Sequence, residues 1–233
     1  MKRERGGTMK VLVSGGSSGL GAATVREVLD AGGTPLVLDR KPPEAGGVDY
    51  ALADLADTGA TENAVRELAE RAGGLDAVFT AAGIDTPGRL DSVPTEGWER
   101  VVRVNLLGTA AVVRAALPYL ERSRGKVVTC SSTLGLRSVS DATAYCASKA
   151  GVVAFTRALA AETAGRIGVT LLVPGGMHTA FFDERDDRYK PPADAKLNDP
   201  ANVAKAVLHA LRQPEGCEIR ELVVCHSEEG SWP

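Results

Sequence analysis

A tyrosine and a lysine four residues apart form the pair in this sequence that is best suited to acid–base chemistry. They are Tyr145 and Lys149, and Ser132 lies thirteen residues before the tyrosine. On a helix such a pair shares one face, with Cβ atoms roughly 5–6 Å apart. A lysine cation beside a phenol favours the phenolate, so we expect the pKa of Tyr145 to lie below its ordinary value of about 10. Such a phenol can exchange a proton with an alcohol or ketone oxygen near neutral pH.

A glycine-rich turn near the start of the chain is suited to hold the hydride carrier that this reaction needs. The turn, Gly15–Gly21, lies between a predicted strand and a predicted helix. Its glycines let the backbone approach a pyrophosphate, and the helix N-terminus faces the phosphate charge. Asp39 follows about twenty residues later, where a carboxylate binds the ribose hydroxyls and repels the 2′-phosphate of NADP. Its neighbour Arg40 could bind that phosphate instead, so the sequence favours NAD and leaves NADP as the alternative.

Apolar strands alternate with helices along the chain. We predict strands at 10–14, 35–39, 49–52, 76–80, 126–130, 169–173 and 219–225. We predict helices at 20–31, 62–72, 95–120, 143–166 and 202–211. This alternation indicates the α/β class, with a doubly wound parallel sheet (Rossmann fold) of about seven strands and helices on both faces. We expect one domain over residues 9–233 after a loose tail at 1–8. The irregular stretch 176–198 follows a strand end, where a lid would lie.

The composition is typical of a soluble globular protein. The 233 residues are 44% hydrophobic and 24% charged, with a net charge of −3 and no basic stripe. We therefore expect neither a nucleic-acid nor a membrane partner, and no apolar run approaches the ~18 residues of a membrane helix. The first residues lack the apolar segment of a signal peptide, and the four cysteines and three histidines form no metal-ligand pattern. We expect a cytoplasmic protein without a metal, in which each cysteine is a small buried side chain.

These residues together resemble the short-chain dehydrogenase/reductase family, in its shorter single-domain branch. The resemblance runs from Lys10 to Cys225. It rests on the glycine turn, on Ser132, Tyr145 and Lys149 at the family spacing, and on six further residues: Asn105, Pro174, Gly175, Thr179, Asp54 and Leu55. One departure is Thr80-Ala81-Ala82-Gly83, where the family usually has Asn-Asn-Ala-Gly. The missing amides normally brace the sheet, so that local hydrogen-bond network is in doubt.

The resemblance implies roles for four catalytic residues. Tyr145 exchanges a proton with the substrate oxygen, Lys149 lowers the pKa of Tyr145 and binds the nicotinamide ribose, and Ser132 holds the substrate oxygen. Asn105 positions a water that links Lys149 to solvent. Besides Tyr145 and Lys149, the implied cofactor-binding residues are Ser14, Gly15, Ser17, Ser18, Gly19, Leu20, Gly21, Asp39, Arg40, Asp54, Leu55, Ala81, Ala82, Gly83, Pro174, Gly175, Met177 and Thr179.

The substrate is the least determined part of this interpretation. We expect a small molecule in a mostly apolar pocket, with Arg137 and His178 as possible polar contacts. His178 is better interpreted as a surface or packing residue than as a catalytic base. The residues expected to face the substrate are Leu134, Val139, Gly176, Met177 and Phe181.

Three functions are compatible with the sequence. The leading one is an oxidoreductase that transfers a hydride between NAD(H) and a secondary alcohol or its ketone. An alternative is an NADPH-dependent reductase of an acyl or polyketide ketone, which only Arg40 supports. A non-catalytic dinucleotide sensor is the alternative of another class, and the intact Ser132, Tyr145 and Lys149 argue against it. The resemblance also implies a homodimer or homotetramer formed through the two long helices, for which the apolar Val152, Val153 and Phe155 give the only support in the sequence.

Overall fold

In the computed structural model, which describes residues 8–230 and 232, seven strands form one parallel sheet. The strands are β1 Lys10–Ser14, β2 Thr34–Asp39, β3 Asp49–Leu52, β4 Ala77–Thr80, β5 Lys126–Cys130, β6 Gly168–Pro174 and β7 Glu221–Val224. Their order across the sheet is β3-β2-β1-β4-β5-β6-β7, so the chain changes its direction of travel between β1 and β4. In open parallel sheets, ligands bind beyond the carboxyl ends of the strands at such a switch point.

Helices cover both faces of this sheet. Within the described residues the α-helices are α1 Gly19–Asp30, α2 Thr58–Arg71, α3 Thr95–Val102, α4 Thr109–Ser123, α5 Thr143–Glu162 and α6 Pro200–Leu211. Alternate residues of β1 serve the two layers, because side chains alternate across a strand. Val11 and Val13 pack in the core beneath α1 and α6, and Leu12 packs in the core beneath α2, α4 and α5. The predicted doubly wound sheet is confirmed.

The helix predicted over residues 95–120 is interrupted. Between α3 and α4 the chain forms a π-helical turn, Arg103–Gly108, whose wider spacing of hydrogen bonds places Asn105 against the loop after β4. Such turns are often found at functional sites, and the apolar pattern of the sequence carries no sign of this one. The whole segment Thr95–Ser123 is also long and apolar enough to cross a membrane, contrary to the sequence expectation. Because 56% of its apolar window is buried inside the fold, it has the character of a core helix.

Helix starts differ from the prediction where an aspartate caps the first turn. Asp57 accepts a hydrogen bond of 2.9 Å from the backbone N–H of Ala60, so α2 begins before residue 62. Asp199 accepts one of 2.8 Å from Ala201 and starts α6 in the same way. An aspartate in this position satisfies an N–H group that has no partner within the helix. The tail predicted at residues 1–8 lies almost wholly outside the described residues.

The valines offered as support for subunit assembly need correction. Val152 and Val153 are 0% and 6% exposed, because they pack within the core of their own chain. Phe155 packs partly against the same core. These three side chains therefore leave no surplus apolar face on α5, and the homodimer or homotetramer stays a prediction without them.

The expectation that every cysteine is buried is also wrong in part. Cys130 and Cys146 are buried as expected, but Cys225 is half-buried and Cys217 is exposed. Cys217 lies in the connection between α6 and β7, and its thiol donates to the side chain of Gln213 on the surface. The apolar character of a cysteine therefore does not by itself predict that the side chain is buried, because the connections between elements run over the surface.

Candidate active site

A cavity of about 840 Å³ lies beyond the carboxyl ends of β1, β4, β5 and β6. Ligand sites commonly occupy ~300–1,000 Å³. Predicted cofactor residues that line it are Gly15, Ser18, Gly19, Leu20, Gly21, Asp39, Arg40, Asp54, Leu55, Ala81, Ala82, Gly83, Pro174, Gly175, Met177 and Thr179. Predicted catalytic and substrate residues that line it are Ser132, Tyr145, Lys149, Leu134, Gly176 and Phe181. Four predicted residues, Ser14, Ser17, Asn105 and Val139, do not line it.

Ser132, Tyr145 and Lys149 meet at the deep end of this cavity. Ser132 follows β5 and is hydrogen-bonded to Tyr145. Lys149 lies one helical turn after Tyr145, with its Nζ atom 5.7 Å from the centroid of the tyrosine ring. The ammonium of Lys149 is buried and donates a hydrogen bond of 2.9 Å to the carbonyl of Cys130. A hydroxyl, a phenol and an ammonium group thus surround one position in which a substrate oxygen could exchange a proton.

The expected lowering of the Tyr145 pKa is not found in this structure. Burial raises the pKa of Tyr145 above its ordinary value, and the hydrogen bond with Ser132 offsets this only in part. Burial also lowers the pKa of Lys149, so its charge is itself disfavoured there. The sequence shows the charge of the lysine but not the loss of solvent around both groups. In the ligand-free protein the phenol is therefore a proton donor.

Asn105 has a different environment from the one predicted. Its side-chain oxygen accepts the backbone N–H of Ile84 at 2.8 Å. Its amide donates to the Ile84 carbonyl at 2.9 Å and to the hydroxyl of Ser148 at 3.0 Å. The side chain is fully buried and braces the loop that follows β4. Protein groups thus occupy both N–H donors of its amide, and a role in positioning a water stays a prediction.

The glycine turn fits a pyrophosphate on geometric grounds. Gly19 has a φ of +50°, and a Cβ on Gly21 would overlap the carbonyl oxygen of Gly15. Ser18 precedes α1 without capping it through its side chain. The first N–H groups of α1 have no partner within the helix, so they point at the cavity as donors for an anion. The residues present therefore fit the phosphates of a dinucleotide.

Asp39 stands at the rim of the cavity with its carboxylate fixed by backbone donors. One oxygen accepts the N–H of Arg40 at 2.6 Å and the other accepts the N–H of Ser17 at 3.0 Å. Ser17 therefore acts on the site through Asp39, and its own hydroxyl donates to the Lys41 carbonyl. The rim thus carries a fixed negative charge and has its nearest N–H groups already occupied.

Asp54 has a partner that the sequence did not reveal. Burial raises its pKa, but Arg100 and the N–H of Ala56 outweigh this and hold the pKa of Asp54 below its ordinary value. The ion pair between Asp54 and Arg100 measures 2.7 Å, and Arg100 lines the cavity. Because Arg100 lies on α3, far from the predicted dinucleotide turn, no local motif identified it.

The departure at Thr80-Ala81-Ala82-Gly83 has a visible consequence. Ser14 and Thr80 are paired across β1 and β4, and both hydroxyl oxygens are buried with no hydrogen-bond partner. Ser14 lies next to Gly15 of the cavity lining but does not itself line the cavity. The doubt raised about local bracing is confirmed, since buried polar atoms are normally satisfied. Gly83 keeps its place in the site, because a Cβ there would lie 3.3 Å from the Nζ atom of Lys149.

The substrate end of the cavity has charged side chains beside apolar ones. Val139 is 49% exposed and lies outside the cavity, as do the exposed Arg137 and His178. Besides apolar side chains such as Phe181, charged residues of the loop after β4 and of the segment 176–198 line it, among them Asp85 and Arg185. The interpretation of His178 as a surface residue is confirmed. These polar contacts come from two segments that are far apart in the sequence, and no spacing of residues indicates that they meet.

The C-terminal segment also reaches the cavity. Glu229 accepts a hydrogen bond of 2.9 Å from the N–H of Gly176, and its carboxylate occupies the space where a Cβ on Gly175 would stand. A side chain at position 175 would therefore displace the Glu229 carboxylate from this place. Glu229 lies more than fifty residues away in sequence, and only the folded chain brings the two together.

The family-model comparison decides which family this arrangement belongs to. The model of the short-chain dehydrogenases, described as "short chain dehydrogenase", matches residues 9–190. The chain belongs to the short-chain dehydrogenase family. Its members bind NAD(P), so the cavity described above is that of an NAD(P)-dependent dehydrogenase acting on CH–OH groups of small molecules.

Two relatives agree with this assignment, and two solved structures share the fold. L-Fucose dehydrogenase of Mus musculus is 30% identical over 94% of this chain and 88% of its own length. The 2,5-dichloro-2,5-cyclohexadiene-1,4-diol dehydrogenase of Sphingobium indicum is 31% identical over 84% of this chain and 86% of its own. Aldohexose dehydrogenase of Thermoplasma acidophilum has the same fold, with a TM-score of 0.86 and 23% identity over 94% of this chain and 93% of its own. An alcohol dehydrogenase of Thermococcus sibiricus, complexed with 5-hydroxy-NADP, has a TM-score of 0.85 and 23% identity over 96% and 98%.

The ionisation of Tyr145 is testable without a substrate. Because burial raises its pKa, raising the pH of the ligand-free protein to about 10 should leave this phenol protonated. Tyr145→Phe and the unchanged protein should then give the same tyrosinate absorbance at that pH. Circular dichroism at neutral pH and at the raised pH controls for unfolding. A lower tyrosinate absorbance in the variant would show that Tyr145 had ionised and would contradict this account.

Proposed function

We propose that this protein is an NAD-dependent oxidoreductase that interconverts a secondary alcohol and its ketone. The observation that carries the proposal is the convergence of Ser132, Tyr145 and Lys149 in the cavity that also contains the glycine turn. A dinucleotide held by that turn would supply or accept the hydride. The chain's own residues contribute position and proton transfer.

Each of the three residues has a role that its surroundings support. Tyr145 gives its proton to a ketone oxygen during reduction and takes the proton of an alcohol during oxidation. Ser132, already hydrogen-bonded to Tyr145, holds the same oxygen. Lys149 adds a positive charge behind the phenol and a donor for a ribose hydroxyl. Asn105 is a positioning residue, because it fixes the Ile84 loop rather than the reacting atoms.

The preference for NAD is supported by Asp39. A 2′-phosphate placed at this rim would meet a carboxylate, and the N–H groups of Ser17 and Arg40 are already bound to that carboxylate. Like charges in contact are strongly unfavourable where solvent is reduced. The alternative, an NADPH-dependent ketone reductase, is favoured by Arg40, which lines the cavity, and by the NADP analogue bound in the Thermococcus sibiricus structure.

The relatives also support a hydroxyl-rich substrate. The relatives' names refer to L-fucose and to a cyclohexadiene diol, and the name of the Thermoplasma neighbour refers to an aldohexose. We extend this to the present chain because charged side chains enter the substrate end of its cavity. Charged side chains in the lining suit a small molecule with several hydroxyl groups better than an acyl chain.

The choice of cofactor can be measured by binding alone. NADH should bind more tightly than NADPH in a fluorescence titration, because Asp39 repels the additional phosphate. Asp39→Ala should narrow the difference, since Arg40 is then able to pair with that phosphate. Asp30→Ala, an exposed acid at the end of α1, is the matched control and should change neither affinity. Equal or tighter NADPH binding by the unchanged protein would instead support the reductase alternative.

The reaction itself is tested at Tyr145. Tyr145→Phe keeps the ring and removes only the hydroxyl, so folding and NADH binding should be retained. Turnover should fall by at least ~10²–10⁴-fold, which is the usual contribution of general acid–base catalysis. Tyr119→Phe, outside the cavity, is the control. Native turnover in the Tyr145 variant would remove this residue from the mechanism. Binding of NADH without turnover of any alcohol or ketone in a broad panel would favour the sensor alternative.

A further inference from the structure

An ion pair that the predicted catalytic residues do not include lies inside the cavity. Arg185 of the lid and Asp85 of the loop after β4 are 2.9 Å apart, and their side chains are 16% and 5% exposed. Both line the cavity. Exposed ion pairs are common on this surface, but this pair is removed from solvent and faces the space that a substrate would fill.

The arginine of this pair is held next to the reactive phenol. Its guanidinium carbon lies 4.7 Å from the ring centroids of both Phe181 and Phe182. The ring of Phe181 lies in turn 5.7 Å from the ring of Tyr145. The charges of both Asp85 and Arg185 act on the phenol, with opposite signs. The pair is therefore close enough to contact a substrate that reaches Tyr145.

The pair has hydrogen-bonding capacity left over. Arg185 uses one terminal nitrogen for Asp85 and the other for the Tyr189 carbonyl, and its Nε atom is buried with no hydrogen-bond partner. Asp85 accepts the N–H of Thr86, and burial raises the pKa of this carboxyl despite the neighbouring Arg185. A buried ion pair contributes little net stability. Each terminal nitrogen of a guanidinium carries two N–H groups, so donors remain beside the carboxylate, and together they suit a group that both donates and accepts, which is the chemistry of a hydroxyl.

The balance of charge argues for a neutral ligand. Asp85 and Arg185 cancel, and the lid adds Glu184, Asp186 and Arg188 around the same part of the cavity. A carboxylate or phosphate substrate would meet more negative than positive charge there. A neutral molecule with several hydroxyl groups meets no such repulsion.

We propose that Asp85 and Arg185 form a hydroxyl-binding subsite, which holds a second hydroxyl of a neutral polyhydroxylated substrate beside the carbinol that Tyr145 serves. This inference rests on the proposed function and names its substrate class. Asp85 accepts from the hydroxyl and Arg185 donates to it. Arg185 belongs to the segment 176–198, and Asp85 belongs to the loop after β4. A substrate hydroxyl bound to both side chains therefore also links these two segments.

Substrate selectivity tests the subsite. The probes are L-fucose and 1,2-cyclohexanediol against cyclohexanol, each with NAD and with NADP. Hydrogen bonds to charged groups correspond to roughly 10- to 100-fold in kcat/KM, so the better hydroxyl-rich probe should exceed cyclohexanol by about that factor. The ratio of kcat/KM for the hydroxyl-rich probe to kcat/KM for cyclohexanol should fall towards one in three variants. These are Asp85→Asn, Arg185→Met and the double variant. The ratio cancels any effect of the charges on Tyr145 that all substrates share.

The control is an exposed ion pair of the same type. Arg89 and Asp91 are 3.1 Å apart outside the cavity, so Asp91→Asn and Arg89→Met should leave the ratio unchanged. Thermal unfolding shows which variants fold. If Asp85→Asn does not fold, Arg185→Met and the double variant test the subsite. Equal loss on all probes, or no preference in the unchanged protein, would overturn the subsite. No oxidation of any probe with either cofactor would contradict the proposed function and the subsite with it.

Discussion

Parallel strands end at the same edge of their sheet, and the whole site depends on that constraint. β1, β4, β5 and β6 are four consecutive strands of the sheet, so the segments that leave their carboxyl ends must share one space. The glycine turn leaves β1, the Gly83–Asp85 loop leaves β4, Ser132 follows β5 and Gly175 follows β6. Residues from four distant parts of the sequence thereby line one cavity. The buried apolar strands hold these ends in register, which is why the chemistry can be placed on loops.

Loss of solvent is the second physical factor that shapes this site. It raises the pKa of Tyr145 and of Asp85 and lowers the pKa of Lys149. All three groups are thus biased towards their neutral forms in the ligand-free protein. A charge that arrives with a ligand acts on them at low effective dielectric, where it has a much larger effect than in water. We therefore expect the pKa values of these three groups to change when a charged ligand binds.

The sequence predicts the sheet and the catalytic centre well, because both depend on local patterns. Apolar runs bounded by glycine place the strands, and the spacing of Tyr145 and Lys149 places them on one helix face. The pairs Asp54–Arg100, Asp85–Arg185 and Gly176–Glu229 could not be predicted, since each joins segments that have no fixed spacing. The direction of the Tyr145 pKa was missed because it depends on burial, which no pair of residues reveals. The charged side chains at the substrate end could not be predicted either, because the segment 176–198 has no regular pattern.

The central claim is direct transfer of a hydride from the substrate carbon to the nicotinamide in this cavity. The most direct measurement uses 1,2-cyclohexanediol labelled with deuterium at its carbinol carbons, with mass spectrometry of the NADH that is produced. The account predicts that each NADH molecule carries one deuterium from the substrate, and that almost none forms with Tyr145→Phe. Unlabelled NADH, or labelled NADH formed equally fast by that variant, would contradict it.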